Sequence, residues 1–138
     1  MSMTFGIVLT PRSGADWARE AAAAERQGYR TLLLPDTRFT PSPFPALAAA
    51  AAVTTTIRLR PNVLAAPLRS PAATARETAA LQLLSDGRFE LGIGSGRPDA
   101  AAEAQWLGAS WARPRNAAPT WSPPSPPYAL RWPRPRRS

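Results

Sequence analysis

The chain has 138 residues, room for one ordinary domain, and a formal net charge of +8 with no lysine, histidine or cysteine. Without imidazole or thiol groups there is no histidine general base, no Cys/His metal site, no thiolate nucleophile and no disulfide. Any chemistry must therefore come from a bound cofactor or from carboxylate, hydroxyl and guanidinium groups.

The first element is an apolar run from Phe5 to Leu9, ended by Thr10-Pro11 and expected to be a buried strand. Ser13 to Asp16 has the form of a capping box, with Ser13 accepting from the helix start and Asp16 near its positive end. An Ala-rich helix should follow through Gln27, with Trp17, Ala21 and Ala24 on one face and Gly28 as its stop. Thr31 to Leu34 is a second strand, continuous and apolar as in a parallel sheet covered by helices on both faces. Asp36 falls at its carboxyl end.

Thr37 to Pro45 should be a loop, and Ala46 to about Thr54 a helix. Ile57 to Leu64 reads as a third strand with its exit, and Pro61 within it predicts a bulge or bend. Ser70-Pro71 is an N-cap and first-turn pair, opening a helix whose Leu81 and Leu84 should face the sheet. Leu83 to Gly96 then organises the rest: helix end, turn at Ser85-Asp86-Gly87, short strand and glycine-rich loop. Phe89, Leu91 and Ile93 alternate with Arg88, Glu90 and Gly92 in the period of a strand. Gly94 and Gly96 remove Cβ atoms where that strand ends, so that a backbone or a ligand can approach closely. A helix over Pro98 to Leu107 completes the series. Three βα units and a fourth strand with its helix make half of an eight-stranded barrel or a small doubly wound sheet, and periodicity does not separate the two.

No secretory signal is expected from Met1-Ser2-Met3-Thr4-Phe5, and the longest apolar run, Ala46 to Val53, is too short to cross a bilayer. A soluble, cytoplasmic protein is the expectation, with no membrane and no metal.

The residues resemble the luciferase-like monooxygenase family, the bacterial luciferase-like, flavin- or F420-dependent oxidoreductases. The resemblance is carried by Phe5-Gly6-Ile7, by Glu25-Arg26-Gln27-Gly28-Tyr29 leading to Pro35-Asp36, and by Val53 to Leu59. Asn62 to Pro71, Ala75-Arg76-Glu77, Leu84 to Pro98 and Ala102 to Gly108 continue it, so that it runs through nearly all of residues 4–108. It implies an α/β fold, the N-terminal half (about four βα units) of a (β/α)8 TIM barrel. The cofactor would be FMN or coenzyme F420, used on a small-molecule substrate for hydride transfer or, with O2, monooxygenation. A homo-oligomer is compatible with the resemblance. The cofactor-binding positions it implies are Asp36 after strand two, Asn62 and Val63 after strand three, and Gly94, Ser95, Gly96 and Arg97 after strand four. Asn62-Val63 matches a position where the family often has a non-prolyl cis peptide. No catalytic residue is assigned.

Against these stand plainer readings: Asp36 as a turn or capping residue, Asn62 as a turn residue, and Arg97 as a solvated cation. Arg69 and Glu77 would form a structural ion pair or be solvated, and Glu90 would be a paired carboxylate inside the barrel. The sequence departs from the family at Thr37, where many relatives have His. It departs again at Arg97, where F420-using relatives often have Glu, which favours flavin. A complete barrel needs about 250 residues, so this chain is expected to be truncated and inactive alone.

The organisation is therefore a partial barrel domain over 1–108 and a Pro/Arg/Trp-rich tail over 109–138, expected to be disordered. Residues 1–108 hold eleven Arg against nine acids, whereas 109–138 hold six Arg, eight Pro, three Trp and no acid. Out-of-frame GC-rich DNA yields such a composition, and a frame shift shortly after Gly108 is the reading adopted. The alternative is a non-catalytic remnant or binding module, in which Trp111, Trp121 and Trp132 among the Arg contact nucleic acid or an acidic surface; the family reading needs no nucleic-acid partner. Translating the other two frames of the gene beyond codon 108 should restore a family-like helix and strand; two frames without them would remove the frame-shift reading.

Overall fold

The structure, a computed structural model, describes residues 3–95 together with 102, 105, 106 and 108. Expectations for Gly96, Arg97 and the tail lie outside the described residues. The elements in order are β1 (Gly6–Val8), α1 (Gly14–Arg26), β2 (Thr31–Leu34), α2 (Pro43–Ala52), β3 (Arg58–Pro61), β4 (Leu64–Ala65), a 3-10 turn (Ala66–Leu68), α3 (Pro71–Leu84) and β5 (Ile93–Gly94).

The strands are parallel and are added in one direction. β1 pairs with β2 and β2 with β3, so that Ile7, Leu32 and Leu59 form one row. Leu59 then bridges Phe89, and β4 pairs with β5, so the segment from Phe89 to Gly94 is a fourth strand beside the third. With right-handed crossovers and no reversal of strand order, every connecting helix falls on the same side of the sheet. Burial agrees: Leu32, Leu34, Leu59 and Pro61 are buried, while the alternating Thr31, Leu33, Arg58 and Arg60 are half-buried or exposed. The buried residues of α1, α2 and α3 form one cluster with that row. A doubly wound sheet, the second possibility left by periodicity, is thereby excluded for the described elements, and the expectation of strands covered on both faces is corrected.

Local sequence explains the helices. Ser13 accepts from the Asp16 N–H and donates to its carboxylate at 2.7 Å, the predicted cap. Trp17, Ala21 and Ala24 are the buried face of α1, as their spacing requires, and the Trp17 indole donates to the Ala46 carbonyl at 2.7 Å, locking α1 to α2. α2 begins at Pro43, three residues before the expected start, because proline needs no partner for its nitrogen in a first turn. In α3, Ser70 caps the Ala73 N–H, and Leu81 is buried as expected. Leu84 is 65% exposed; the buried face runs through Thr74, Leu81 and Ser85, and Leu84 lies about a quarter of a turn away from it. The first strand is also more open than expected: Phe5 and Val8 lie at the sheet edge, 61% and 53% exposed.

Two charged side chains fasten the amino ends of the strands, and the sequence reading identified neither. Arg88 donates from Nε to Ser85 O, from Nη1 to Thr54 Oγ1 and Ile57 O, and from Nη2 to Ala51 O and Thr54 O, at 2.8–3.1 Å. It thus satisfies the free carbonyls at the end of α2 and ties them to the turn before strand four. That turn puts Asp86 and Gly87 at φ of 53° and 77°, which explains the glycine. Glu25, at the end of α1, accepts from the backbone N–H groups of Thr55, Thr56 and Ile57 and from the Thr56 hydroxyl. Burial pushes its pKa up, but these hydrogen bonds to the charged form outweigh burial and hold it at about 2 instead of 4.5.

Arg88→Ala should cost about 3 kcal/mol in chemical denaturation, since it leaves several partly buried carbonyls without donors. Because the folded pKa of Glu25 is depressed, its contribution is present above pH 4.5 and fades as pH falls toward about 2. The stability gap between the wild-type chain and Glu25→Gln should narrow over that window.

Candidate functional site

The carboxyl ends of the strands gather four of the chain's irregular segments on one rim: the loop after β1, Pro35 to Ser42 after β2, Asn62-Val63 between β3 and β4, and Gly94-Ser95. In singly wound α/β folds this end carries ligands, because the loops there are free to vary while the strands hold them in register.

Asp36 is the charged centre of the rim, with its side chain 5% exposed. Its Oδ2 accepts from the Ala65 N–H at 2.8 Å and from Arg69 Nη1, and its Oδ1 accepts from Arg69 Nη2 at 3.3 Å. Arg69 also reaches Ser42 Oγ at 3.3 Å. One carboxylate therefore ties the exit of β2 to β4 and to the entrance of α3, while Arg69 adds the start of α2. The fork geometry of guanidinium against carboxylate gives this tie direction as well as strength. The expected pairing of Arg69 with Glu77 is replaced by this one. Arg69 lies 33 residues from Asp36, so no local spacing could have indicated the contact.

The bend predicted at Pro61 is centred just beyond it. Asn62 N–H donates to Leu34 O at 2.7 Å, the Asn62-Val63 peptide is cis, and Leu64 N–H donates to Gly92 O at 2.7 Å. Strand three is thus split into β3 and β4 by a bulge. The bulge turns Val63 onto strand four: a Cβ built on Gly94 would lie 2.6 Å from Val63 Cγ2. Gly94 is a glycine because Val63 occupies the space of its side chain. Close approach was expected there, and the approaching group is this valine. Gly92 is held likewise, its notional Cβ meeting Pro61 O at 2.5 Å.

The structure thus brings Asp36, Asn62, Val63, Gly94 and Ser95 to one rim, while Gly96 and Arg97 lie outside the described residues. Val63, 44% exposed, and the bare backbone at Gly94 give the rim a small apolar surface beside a fully engaged ion pair. Below the rim, on the helix-free face, Glu90 Oε1 lies 2.5 Å from Arg58 Nε, so Glu90 is paired as expected but half-buried. A shallow groove of about 390 Å³ between the starts of α1 and α2 is lined by Pro11, Trp17 and Pro45, and by none of the predicted site residues. Among the described residues no cluster of acidic side chains could hold a metal ion, and no helix is long and apolar enough to cross a membrane.

Comparison with known proteins agrees with this architecture. Residues 3–119 match the family described as luciferase-like monooxygenase. Among solved structures, the coenzyme F420 dependent tetrahydromethanopterin reductase of Methanopyrus kandleri superposes with a TM-score of 0.68 at 29% identity, over 78% of this chain and 30% of that one. The oxygenating constituent of 3,6-diketocamphane monooxygenase of Pseudomonas putida, a type II Baeyer–Villiger enzyme in complex with FMN, gives 0.66 at 27% identity, over 73% and 32%. A monooxygenase of Streptomyces bottropensis gives 0.65 at 28%, over 72% and 36%. The chain spans about a third of the length of these structures. Its parallel strands and three helices match part of the luciferase-like barrel fold, and the chain belongs to the luciferase-like monooxygenase family.

Proposed function

We propose that the rim of Asn62-Val63, Gly94 and Ser95 is one side of a site for an isoalloxazine-type ring, flavin or deazaflavin, serving redox chemistry on a small molecule. The observation that carries this is the bulge that seats Val63 on Gly94 at the carboxyl ends of the strands. An exposed valine beside side-chain-free backbone offers a flat, apolar support that fits such a ring, and two similar structures are a coenzyme F420 dependent reductase and a monooxygenase in complex with FMN.

When bound, the ring would carry the electron transfer or oxygen chemistry. This chain's own residues would support and orient it. Val63 and Gly94 would provide van der Waals contact along one face, and the Asn62 and Ser95 side chains stand at the border for polar contacts. Asp36 acts one step removed: both its oxygens are engaged by Arg69 and the Ala65 N–H, so it holds the bulge at a fixed distance from the exit of β2. It positions the site and transfers no proton. In barrels of this kind phosphate contacts often come from loops after the seventh and eighth strands, beyond the four strands of the described residues. Binding by these residues alone should accordingly be weak, and the chain alone should have no turnover.

Titrating the purified full chain with FMN should give a saturable change in the visible spectrum that is stripped by gel filtration. Gly94→Ala, which must displace Val63, should weaken that change without altering far-UV circular dichroism. Absence of any saturable change would remove the site assignment. A stoichiometric yellow band surviving filtration would overturn the view that the remaining contacts lie outside this chain.

A further inference from the structure

Among the described residues the first and fourth strands are the outer ones, and they carry complementary hydrogen-bonding edges. In a parallel ladder, alternate residues direct both their N–H and C=O to the same neighbour. On β1 the Phe5 carbonyl accepts from Arg30 N–H and the Leu9 N–H donates to Leu33 O, so residues 5, 7 and 9 face β2, and Gly6 and Val8 face outward. On strand four Glu90 N–H donates to Leu59 O and Gly92 O accepts from Leu64 N–H, so Phe89, Leu91 and Ile93 face the opposite outward edge. Phe89 is satisfied within the chain, its N–H by Ser85 Oγ and its carbonyl by Gln82. Two residues remain open on each edge among the described residues: Gly6 and Val8 on one, Leu91 and Ile93 on the other. Each edge also bears uncovered apolar side chains, Phe5 and Val8 at 61% and 53% exposure, Leu91 and Ile93 at 41% and 54%.

We infer that these edges join two copies of the chain, strand four of each copy pairing with β1 of the other to close an eight-stranded cylinder. Four singly wound parallel strands are half of the eight that such a cylinder requires. A two-fold axis along the cylinder keeps all strands parallel, makes the two junctions identical and leaves no free edge, so the assembly stops at two. The fit lies in direction, number and spacing: both edges are parallel strands with two open residues in alternation, flanked by apolar side chains that the junction would cover. The inference stands on the sheet alone and is independent of what the rim binds.

Light scattering coupled to gel filtration of the full chain should give twice the 14.8 kDa chain mass. Val8→Pro and Leu91→Pro each remove a nitrogen donor that faces away from the chain's own sheet, where proline is tolerated. Each should raise the dissociation constant about tenfold or more per lost bond and its accompanying contacts, with the far-UV spectrum retained. As a measurement that does not depend on the proline variants folding, the chain has no cysteine, so Phe5→Cys and Leu91→Cys chains can be mixed with a short bismaleimide. The mixture should form a two-chain product and neither variant alone should. A folded monomer at all concentrations, assemblies larger than two, or a dimer indifferent to both prolines and uncross-linked in the mixture would each overturn the inference.

Discussion

The helices α1, α2 and α3 are confined to one face of the sheet because each strand is added beside the last in the same direction. That constraint decides the rest of the molecule. It divides every strand into a helix-facing row, Ile7, Leu32, Leu59 and Phe89, and an uncovered row that includes Arg58, Arg60 and Glu90. The uncovered row tolerates charge because no helix packs over it, and Arg58 and Glu90 use that freedom to pair with each other. The same winding sends every strand's carboxyl end to one rim, so a carboxylate after β2 can reach an arginine that precedes α3.

Much of this order was legible in the chain. Caps at Ser13 and Ser70, the buried stripe of α1 and the turn at Gly87 are local, and local spacing identifies them. The position of the bulge could be read from Pro61, which cannot donate to a sheet, although its form came from family resemblance and not from spacing. Winding was not legible. The run Thr31 to Leu34 looks doubly buried because three leucines follow one another, yet Leu33 sits on the uncovered face. An apolar residue is compatible with either environment, so composition does not choose between them. Leu84 failed for a related reason: Ser85, polar but fully buried, takes the place on the sheet side of α3, its hydroxyl accepting from Phe89 N–H.

The candidate site was legible as a set of positions but not as a set of roles. Asp36 was picked out because it ends a strand, and the structure gives it a mechanical duty through Arg69. Gly94 was picked out because a missing Cβ permits close approach, and the approaching atom belongs to Val63. Arg88 and Glu25 were missed as structural residues, since each bonds to backbone groups about thirty residues away that carry no signature in sequence. Side-chain identity marks where something unusual happens, whereas the partner that explains it is supplied by the fold.

The two ends of the sheet are fastened by separate devices, Arg88 and Glu25 at the amino ends and the Asp36–Arg69 pair at the carboxyl ends, with no residue shared between them. Such modularity gives divergence a safe direction. The rim can be rewritten for a new ligand while the base keeps its own anchorage, and an injury to the base need not first be read at the rim.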